Sequence, residues 1–260
     1  MRHRDPYAGK IGEARRDVSE VPSVGYLGLM EWASLTADLF GGARGPFSVD
    51  EEQRRSRKLA VSGSMHLNVE VAFKNLTVVS DVFRQNEANA WLINGTLLGA
   101  IRDGALIPFD NDCDLGIMVD NPVAIHNSLE QLIGLGFEII RVTRRGDLIS
   151  IMRDGEVIDI SLYSLEWAFF RRYLVSSGGA AEPYRMVREL RTLCFQGHSF
   201  LVPARSQQLL EFWYGASWME PIEGRPRKCN VPMLAFHREV KKKTRAMRDY
   251  LFSRLTGRRR

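Results

Sequence analysis

The chain has 260 residues, of which 45% are hydrophobic and 26% are charged. This is ordinary globular usage and excludes a disordered or low-complexity chain. No apolar run approaches the roughly 20 residues of a membrane helix, and the first residues lack the apolar core of a secretion signal. We therefore expect a soluble, cytoplasmic protein. The formal net charge of +5 suits an anionic substrate, nucleic acid or acidic lipid without choosing among them.

The cysteines carry information about the cellular compartment. Cys113, Cys194 and Cys229 are odd in number and far apart in the chain. Their spacing matches neither a disulfide framework nor a zinc site, which favours a reducing compartment. Cys113 falls in an apolar strand pattern and is interpreted as a small core residue.

The pattern of the chain predicts three parts. Residues 1–60 have mixed signals and are interpreted as a helical N-terminal extension, with a short helix over 25–40 and without an assigned role. Residues 61–235 carry alternating helix and strand patterns and are predicted to form the main domain. Residues 236–260 keep one apolar face under many Lys and Arg residues, which predicts a basic amphipathic helix.

The main domain reads as helices and short strands in mixed order. Apolar spacing predicts helices over 67–83, from Pro122 to about Gly134 or Gly136, and over 204–214. Strands are predicted over 90–93, 113–119, 137–142, 148–153, 157–163, 192–195 and 200–202. Asp154-Gly155 predicts a two-residue hairpin turn. The pattern indicates an α/β or α+β domain whose mixed or mostly antiparallel sheet is flanked by helices.

Three carboxylates, Asp110, Asp112 and Asp114, stand at alternating positions before and within the predicted strand 113–119. Side chains two residues apart on a strand share a face, so Asp112 and Asp114 are expected to project together. Like charges held close together call for a cation between them, and carboxylate oxygens suit Mg²⁺. The alternative is an acidic turn whose aspartates are solvated.

Two neighbouring features favour the metal interpretation. Gly95 and Thr96 follow a predicted strand and open a helix, where a glycine lets the backbone approach a phosphate and free N–H groups attract an anion. Asp159 lies between Ile158 and Ile160 in a strand fit for the interior, and a buried charge needs a partner. That partner is either the same metal site or an arginine.

The segments Gly-Thr-Leu-Leu-Gly-Ala-Ile-Arg at 95–102 and Ile-Pro-Phe-Asp-Asn-Asp-Cys-Asp at 107–114 resemble the signature of the LicD/fukutin family. That signature runs Gly-Thr-Leu-Leu-Gly, two apolar residues and Arg, then a short turn and Ile-Pro-Trp-Asp-Asp-Asp, an apolar residue and Asp. The chain departs from it at Asp103, Phe109 and Asn111. A looser second block resembles the family at Val202-Pro203, Leu210, Tyr214-Gly215, Trp218 and Pro221.

The resemblance implies a nucleotidyltransferase fold for the catalytic domain, over residues 61–235. It also implies an enzyme that moves a phospho-alcohol, such as phosphocholine or ribitol phosphate, from a CDP-activated donor to a sugar hydroxyl of a glycan or glycolipid. Asp112 and Asp114 would hold Mg²⁺ or Mn²⁺. Asp159 would complete a second metal site or accept the proton of the attacking hydroxyl.

The resemblance extends to substrate binding. Gly95 and Thr96 would grip a phosphate, and Arg102 would donate two hydrogen bonds to the diphosphate. Asp110 is a further site residue of lower rank. On spacing alone, Arg102 is equally well a surface arginine of a helix.

Other readings stay open. The same aspartates would serve a nucleotidyltransferase that passes a nucleoside monophosphate to a small hydroxylated acceptor. The basic C-terminus fits a peripheral membrane anchor or an ordinary packed amphipathic helix.

The basic loop with Arg225, Arg227 and Lys228 is interpreted either as a solvated loop or as a phosphate clamp. A nucleic-acid partner is not expected, since the basic residues lack an interleaved aromatic platform. His198 and His237 are interpreted as structural or surface groups.

Overall fold

The computed structural model describes residues 16–17, 66–142, 148–168, 171–176 and 181–221. Several predictions lie outside the described residues: the C-terminal helix, the basic loop after Pro221, Cys229 and His237. Residues 1–60 also lie outside them, apart from one short strand. The division of the chain into three parts therefore stays a prediction.

Strands and short helices alternate along the described chain. The strands are β1 (Arg16–Asp17), β2 (Trp91–Leu92), β3 (Cys113–Met118), β4 (Glu138–Val142), β5 (Leu148–Arg153), β6 (Glu156–Ala168), β7 (Arg171–Val175), β8 (Ala181–Pro183), β9 (Glu189–Phe195) and β10 (His198–Pro203). The helices are α1 (Val69–Gln85), α2 (Asn94–Arg102), α3 (Pro122–Gly134), α4 (Tyr184–Val187) and α5 (Ser206–Tyr214).

The strands form one mixed sheet in the order β1-β9-β10-β2-β3-β6-β5-β4. The pairs β3·β6 and β10·β2 are parallel, whereas the other pairs are antiparallel. The second half of β6 also pairs with β7, which in turn pairs with β8. This architecture confirms the predicted α/β fold class, a mixed sheet flanked by helices.

Local sequence explains where the elements begin and turn. The side chain of Asn68 caps α1 by accepting from the Val71 amide, and Asn121 caps α3, which has Pro122 in its first turn. Asp154 and Gly155 both have positive φ, at 53° and 84°, as a two-residue hairpin turn requires. The predicted hairpin between β5 and β6 is thereby confirmed.

Some bounds differ from the prediction. Strand β6 continues five residues beyond Tyr163 to Ala168, because its second half gains partners in β7. The polar residues Ser164 and Glu166 interrupt the apolar run after Tyr163. The apolar pattern therefore predicts a strand end five residues before the observed one. Strands β7 and β8 and helix α4 were not predicted. Strand β9 begins at Glu189, three residues earlier than expected.

The central strands have one apolar and one polar face. On β6, Ile158 and Ile160 are fully buried in the main hydrophobic cluster, and Asp159 alternates with them on the opposite face. Asp114 of β3 is in register with Asp159, so these two side chains share that face. Helix α1 packs against α3 and β6, while α2 packs against β3 and α5. The polar face therefore carries the functional candidates.

Candidate active site

Helix α2 and strand β3 are tied together through Asp114. The side-chain amide of Asn94 donates to Asp114 Oδ1 at 3.0 Å, and the backbone amide of Asp114 donates to the Thr96 hydroxyl at 2.8 Å. Thr96 is only 2% exposed. The structure thus places Thr96 behind Asp114, where its hydroxyl positions this carboxylate.

The backbone of Asn94 supports the same junction. Its φ of 53° lies in the left-handed region, which asparagine tolerates better than most residues other than glycine. This conformation turns the chain directly from β2 into α2. Asn94 was not among the site residues predicted from the sequence, although its side-chain amide holds a site carboxylate.

Gly95 leaves room for the carboxylate of Asp110. A Cβ atom at Gly95 would lie 2.0 Å from Asp110 Oδ2, so a larger residue would displace that side chain. The N-terminal end of a helix favours negative charge. We had predicted that Gly95 opens the backbone to a substrate phosphate. In this structure the anion closest to Gly95 is the protein's own Asp110.

The three aspartates cluster at the start of β3, but not by strand alternation alone. Strand β3 begins at Cys113, so Asp110 and Asp112 lie in the preceding turn. The argument from alternation therefore applies to Asp114 only. Burial raises the pKa of the Cys113 thiol well above its usual value, and the negative charges of Asp114, Asp112 and Asp110 add to this increase. Asp112 and Asp114 are the chain neighbours of Cys113, and Asp110 precedes it by three residues.

Cys113 itself belongs to the interior. It is fully buried in the main hydrophobic cluster and has a free thiol. The interpretation of Cys113 as a core residue is confirmed. His198 is exposed on β10 and packs edge-on against Phe73, which agrees with a structural or surface role.

Asp159 has the arginine partner that the sequence left as one alternative. Its Oδ2 accepts from Arg141 Nη2 at 2.6 Å, and its Oδ1 accepts from Ser150 Oγ at 2.5 Å. Both carboxylate oxygens are therefore engaged. A carboxylate has about four lone-pair sites, so a metal ion or a proton at Asp159 would share the side chain with Arg141 and Ser150. Neither Arg141 nor Ser150 was singled out from the sequence.

Arg102 is also committed to a carboxylate. Its Nε and Nη2 donate to the two oxygens of Asp103 at 2.8 and 2.7 Å. The hydrogen bond to Asp103 raises the pKa of Arg102. In this structure Arg102 makes its two-point contact with the next residue, and the predicted contact with a substrate diphosphate stays a prediction. The departure from the family signature at Asp103 is what supplies that partner.

Tyr214, at the end of α5, is a site residue that sequence reasoning missed. Burial raises the pKa of its hydroxyl, and the negative charges of Asp114 and Asp110 raise it further. The hydroxyl therefore stays protonated and remains a hydrogen-bond donor near the aspartates. Its signal in the sequence was the Tyr214-Gly215 pair, which had been used only to recognise the second block.

The donor chemistry around β3 fits a hard divalent cation. Asp112 and Asp114 are half-buried carboxylates, and Mg²⁺ is often bound by one or two carboxylates together with water and substrate phosphates. Among the described residues, no group of three or more His, Cys, Asp or Glu side chains is arranged to hold a metal by itself. The arrangement fits an open site that substrate completes better than a closed structural one.

A mixed sheet with an acidic cluster at a strand-to-helix junction defines a nucleotidyltransferase-type domain. A family model described as "LicD/FKTN/FKRP, nucleotidyltransferase domain" matches residues 87–205. This match contains α2, β3, Asp159 and most of the sheet. Residues 87–205, less than half of the chain, therefore match a LicD-type domain, and the resemblance drawn from the sequence is confirmed.

Two uncharacterised rickettsial proteins are similar to part of the chain. Protein RP689 of Rickettsia prowazekii (strain Madrid E) is 32% identical over 83 residues, which cover 32% of this chain and 30% of that protein. Protein RT0683 of Rickettsia typhi (strain ATCC VR-144 / Wilmington) is 39% identical over 59 residues, covering 23% and 19%. The chain thus spans less than a third of the length of these relatives.

Among solved structures, the antibiotic-resistance factor ANT(2'')-Ia matches with a TM-score of 0.38 and 14% identity. The match covers 71% of this chain and 92% of that one. A similarity this distant adds nothing to the assignment of function. Within the described part of the chain, no helix has the length and apolar character needed to cross a membrane.

Proposed function

We propose that the chain is a metal-dependent phosphotransferase. It moves a phospho-alcohol, such as phosphocholine or ribitol phosphate, from a CDP-activated donor to a sugar hydroxyl of a glycan or glycolipid. The observation that carries this proposal is the position of Asp110 and Asp114 at the N-terminus of α2, with Asp112 between them in the chain, inside the segment that matches the LicD family. The family match itself supports the broader class, a transferase of the phosphotransferase or nucleotidyltransferase type.

The proposed reaction is a displacement at phosphorus. The sugar hydroxyl attacks the phosphorus that carries the alcohol, a new P–O bond forms, the phosphoanhydride bond breaks and CMP leaves. The proton of the hydroxyl passes to a carboxylate of the site. Asp112 and Asp114 would hold Mg²⁺ or Mn²⁺, and the bound ion would neutralise negative charge on the donor diphosphate.

The residues of the chain position these groups. Asn94 and Thr96 hold Asp114 in place through its side chain and its backbone amide. The protonated hydroxyl of Tyr214 can donate a hydrogen bond near Asp110 and Asp114. Substrate phosphate at the N-terminus of α2 would have to share that end of the helix with Asp110. Because the Asp110 carboxylate and a phosphate would repel each other there, we expect the donor to bind together with a cation.

Two roles predicted for Asp159 remain proposals: ligand of a second metal ion, or acceptor of the hydroxyl proton. Asp159 lies next to Asp114 in the β3·β6 ladder, which supports a place in the site. Its hydrogen bonds with Arg141 and Ser150 must be exchanged or shared for either role.

The first test is isothermal titration of the full chain with CDP, CDP-choline and CDP-ribitol, with and without Mg²⁺. Metal-dependent binding of a CDP-alcohol that disappears in Asp112→Ala supports the proposal. No binding of any cytidine compound, together with binding of ATP or GTP, would contradict it and favour transfer of a nucleoside monophosphate. Released CMP, as opposed to pyrophosphate, identifies the phosphotransferase reaction.

We also propose that the basic C-terminal segment contacts anionic lipid, which would suit a lipid-linked acceptor. Support comes from the density of Lys and Arg between residues 241 and 260. Binding to anionic vesicles at low salt should be lost when residues 241–260 are deleted. A full chain that does not bind such vesicles would contradict the proposal.

A further inference from the structure

A row of polar side chains crosses the sheet beside the aspartate cluster. Arg141 on β4 is in register with Ser150 on β5, Ser150 with Asp159 on β6, and Asp159 with Asp114 on β3. Residues paired in register share a face of a sheet. The row therefore runs without a break from a cation at one end to the site carboxylate Asp114 at the other.

A β-bulge places Arg141 in this row. Ile139 pairs with Ile151, but Arg141 pairs with Ser150, so Ile140 is the extra residue of β4. Without the bulge, strict alternation would put Ile140 opposite Ser150 and turn Arg141 to the other face. Both Ile139 and Ile140 are buried as a result. Bulges that re-aim a side chain in this way are common beside active sites.

The side chain of Arg141 reaches toward the aspartates and not away from them. From β4, its guanidinium group contacts Ser150 on β5 and Asp159 on β6. Strand β6 is the direct neighbour of β3, which carries Asp114. A diphosphate bound at Asp112 and Asp114 would come within reach of it.

The contacts of Arg141 leave donors for another anion. A guanidinium group has five N–H donors. Toward described residues, Nε donates to Ser150 Oγ at 2.9 Å and Nη2 donates to Asp159, so Nη1 is not used in either bond. The side chain of Arg141 is 33% exposed, compared with 12% for Asp159. Arg102 differs, because its two-point contact with Asp103 occupies one whole edge of its guanidinium group.

We propose that Arg141 is a substrate-binding residue that contacts a phosphate oxygen of the diphosphate donor, while Asp159 and Ser150 position its guanidinium group. The inference rests on the proposed function and extends it. It assigns to Asp159 a role in holding an arginine, in addition to the metal-binding or proton-accepting role proposed above. Charge supports it, since a diphosphate approaching three aspartates needs more positive charge than one divalent ion supplies.

Binding experiments on the full chain test this assignment. Titrations with CDP and with inorganic pyrophosphate, both in Mg²⁺, compare the wild type with Arg141→Gln, and cytidine serves as the probe without phosphate. Loss of one charge-assisted contact should weaken CDP and pyrophosphate binding by about 10- to 100-fold. Arg141→Lys keeps the positive charge but lacks the planar guanidinium group. Its affinity for pyrophosphate should lie between those of the wild type and Arg141→Gln. Arg188→Ala, which removes an exposed arginine paired with Glu189, is the matched control and should bind like the wild type.

A double variant separates substrate contact from a purely structural ion pair. Arg141→Gln leaves the carboxylate of Asp159 buried with only Ser150 as a partner, and this can reduce stability by itself. Arg141→Gln with Asp159→Asn removes both charges and should restore the melting temperature. If Arg141 contacts phosphate, this double variant binds pyrophosphate at least tenfold more weakly than Asp159→Asn alone, in which the guanidinium group is still present.

Each outcome decides the inference. Undiminished pyrophosphate binding by Arg141→Gln, or recovery of binding in the double variant, would overturn it and leave the proposed function standing. A double variant that binds pyrophosphate as well as Asp159→Asn alone would also overturn it. Pyrophosphate binding that needs Arg141, without binding of any cytidine compound, would keep Arg141 and reject the CDP donor. A wild type that binds neither probe would reject both proposals.

Discussion

The two sides of the candidate site are held together in different ways. Around α2 and β3, three carboxylates gather within a few residues of chain, and their positions depend on Gly95 and on hydrogen bonds from Asn94 and to Thr96. Around β4, β5 and β6, a carboxylate and an arginine neutralise each other across the sheet.

This difference predicts how each side responds to change. The acidic side has like charges close together, so removing a carboxylate relieves repulsion while it removes a ligand. The paired side is part of the sheet interior, so removing one partner leaves a buried polar group unsatisfied. Variants on the acidic side should impair function with the fold intact. Variants on the paired side should affect both.

The largest effect is expected for Asp114→Asn. The amide keeps the shape of the side chain but removes the charge that would bind a cation, which should lower kcat by about 1,000-fold. The melting temperature should stay near that of the wild type. Asp154→Asn, in the exposed turn between β5 and β6, is the control and should be fully active. Full activity of Asp114→Asn would show that the carboxylate of Asp114 does not take part in the reaction.

Gly95→Ala should have the next largest effect. Its new Cβ would meet Asp110 Oδ2, so this carboxylate must move and disturb the cluster. We expect activity to fall about 10- to 100-fold, as a displacement of about 1 Å at a site can produce. Gly134→Ala is the control, because a Cβ there meets nothing within 4 Å. It should leave activity unchanged and increase stability by about 0.5–1 kcal/mol. Equal activity of Gly95→Ala and Gly134→Ala would show that activity does not depend on the position of the Asp110 carboxylate.

On the paired side, Ser150→Ala should chiefly affect stability. The hydroxyl donates to Asp159 and accepts from Arg141, and Ser150 is 1% exposed. Its loss leaves two buried polar groups each short of a partner, which should reduce the free energy of unfolding by about 1–3 kcal/mol. Urea denaturation measures this change. If Ser150→Ala is as stable as the wild type, the hydrogen bonds along this row of polar side chains do not contribute to the free energy of unfolding.

The smallest effect on stability is expected for Phe109→Ala. Phe109 belongs to the acidic side and is 79% exposed, and its ring makes an edge contact with the ring of His66. Exposed positions of this kind change the free energy of unfolding by no more than about 0.5 kcal/mol. A larger loss in thermal denaturation would show that the segment before Asp110 has packing beyond this contact, and the two sides would then differ less than proposed.

The parts that sequence analysis predicted are those determined by neighbouring residues. Caps at Asn68 and Asn121 mark the starts of α1 and α3, and the Asp154-Gly155 turn marks a hairpin. The aspartate cluster was visible because its members are close in the chain. For these features, the physical cause lies within a few residues of the effect.

The parts that were missed depend on strand pairing. Arg141 is 18 residues from Asp159, and its contact requires both the β4·β5·β6 register and the bulge at Ile140. Alternation in the sequence predicts the wrong face for Arg141, because a bulge of one residue is not visible in an apolar pattern. Tyr214 approaches the aspartates only because α5 packs against α2. The partner of Asp159 was therefore left open between a metal and an arginine.

The position of Cys113 offers a direct measure of how often the site opens. Thiol reagents attack the thiolate, and Cys113 is fully buried with a raised pKa, whereas Cys194 is exposed. Alkylation of Cys113 must then wait for β3 to separate from its neighbours. Peptide mass spectrometry after timed exposure to the reagent would compare the two cysteines in one sample. A ligand that binds between Asp112 and Asp114 would slow the modification of the thiol that lies between them in the chain, whatever reaction the protein catalyses.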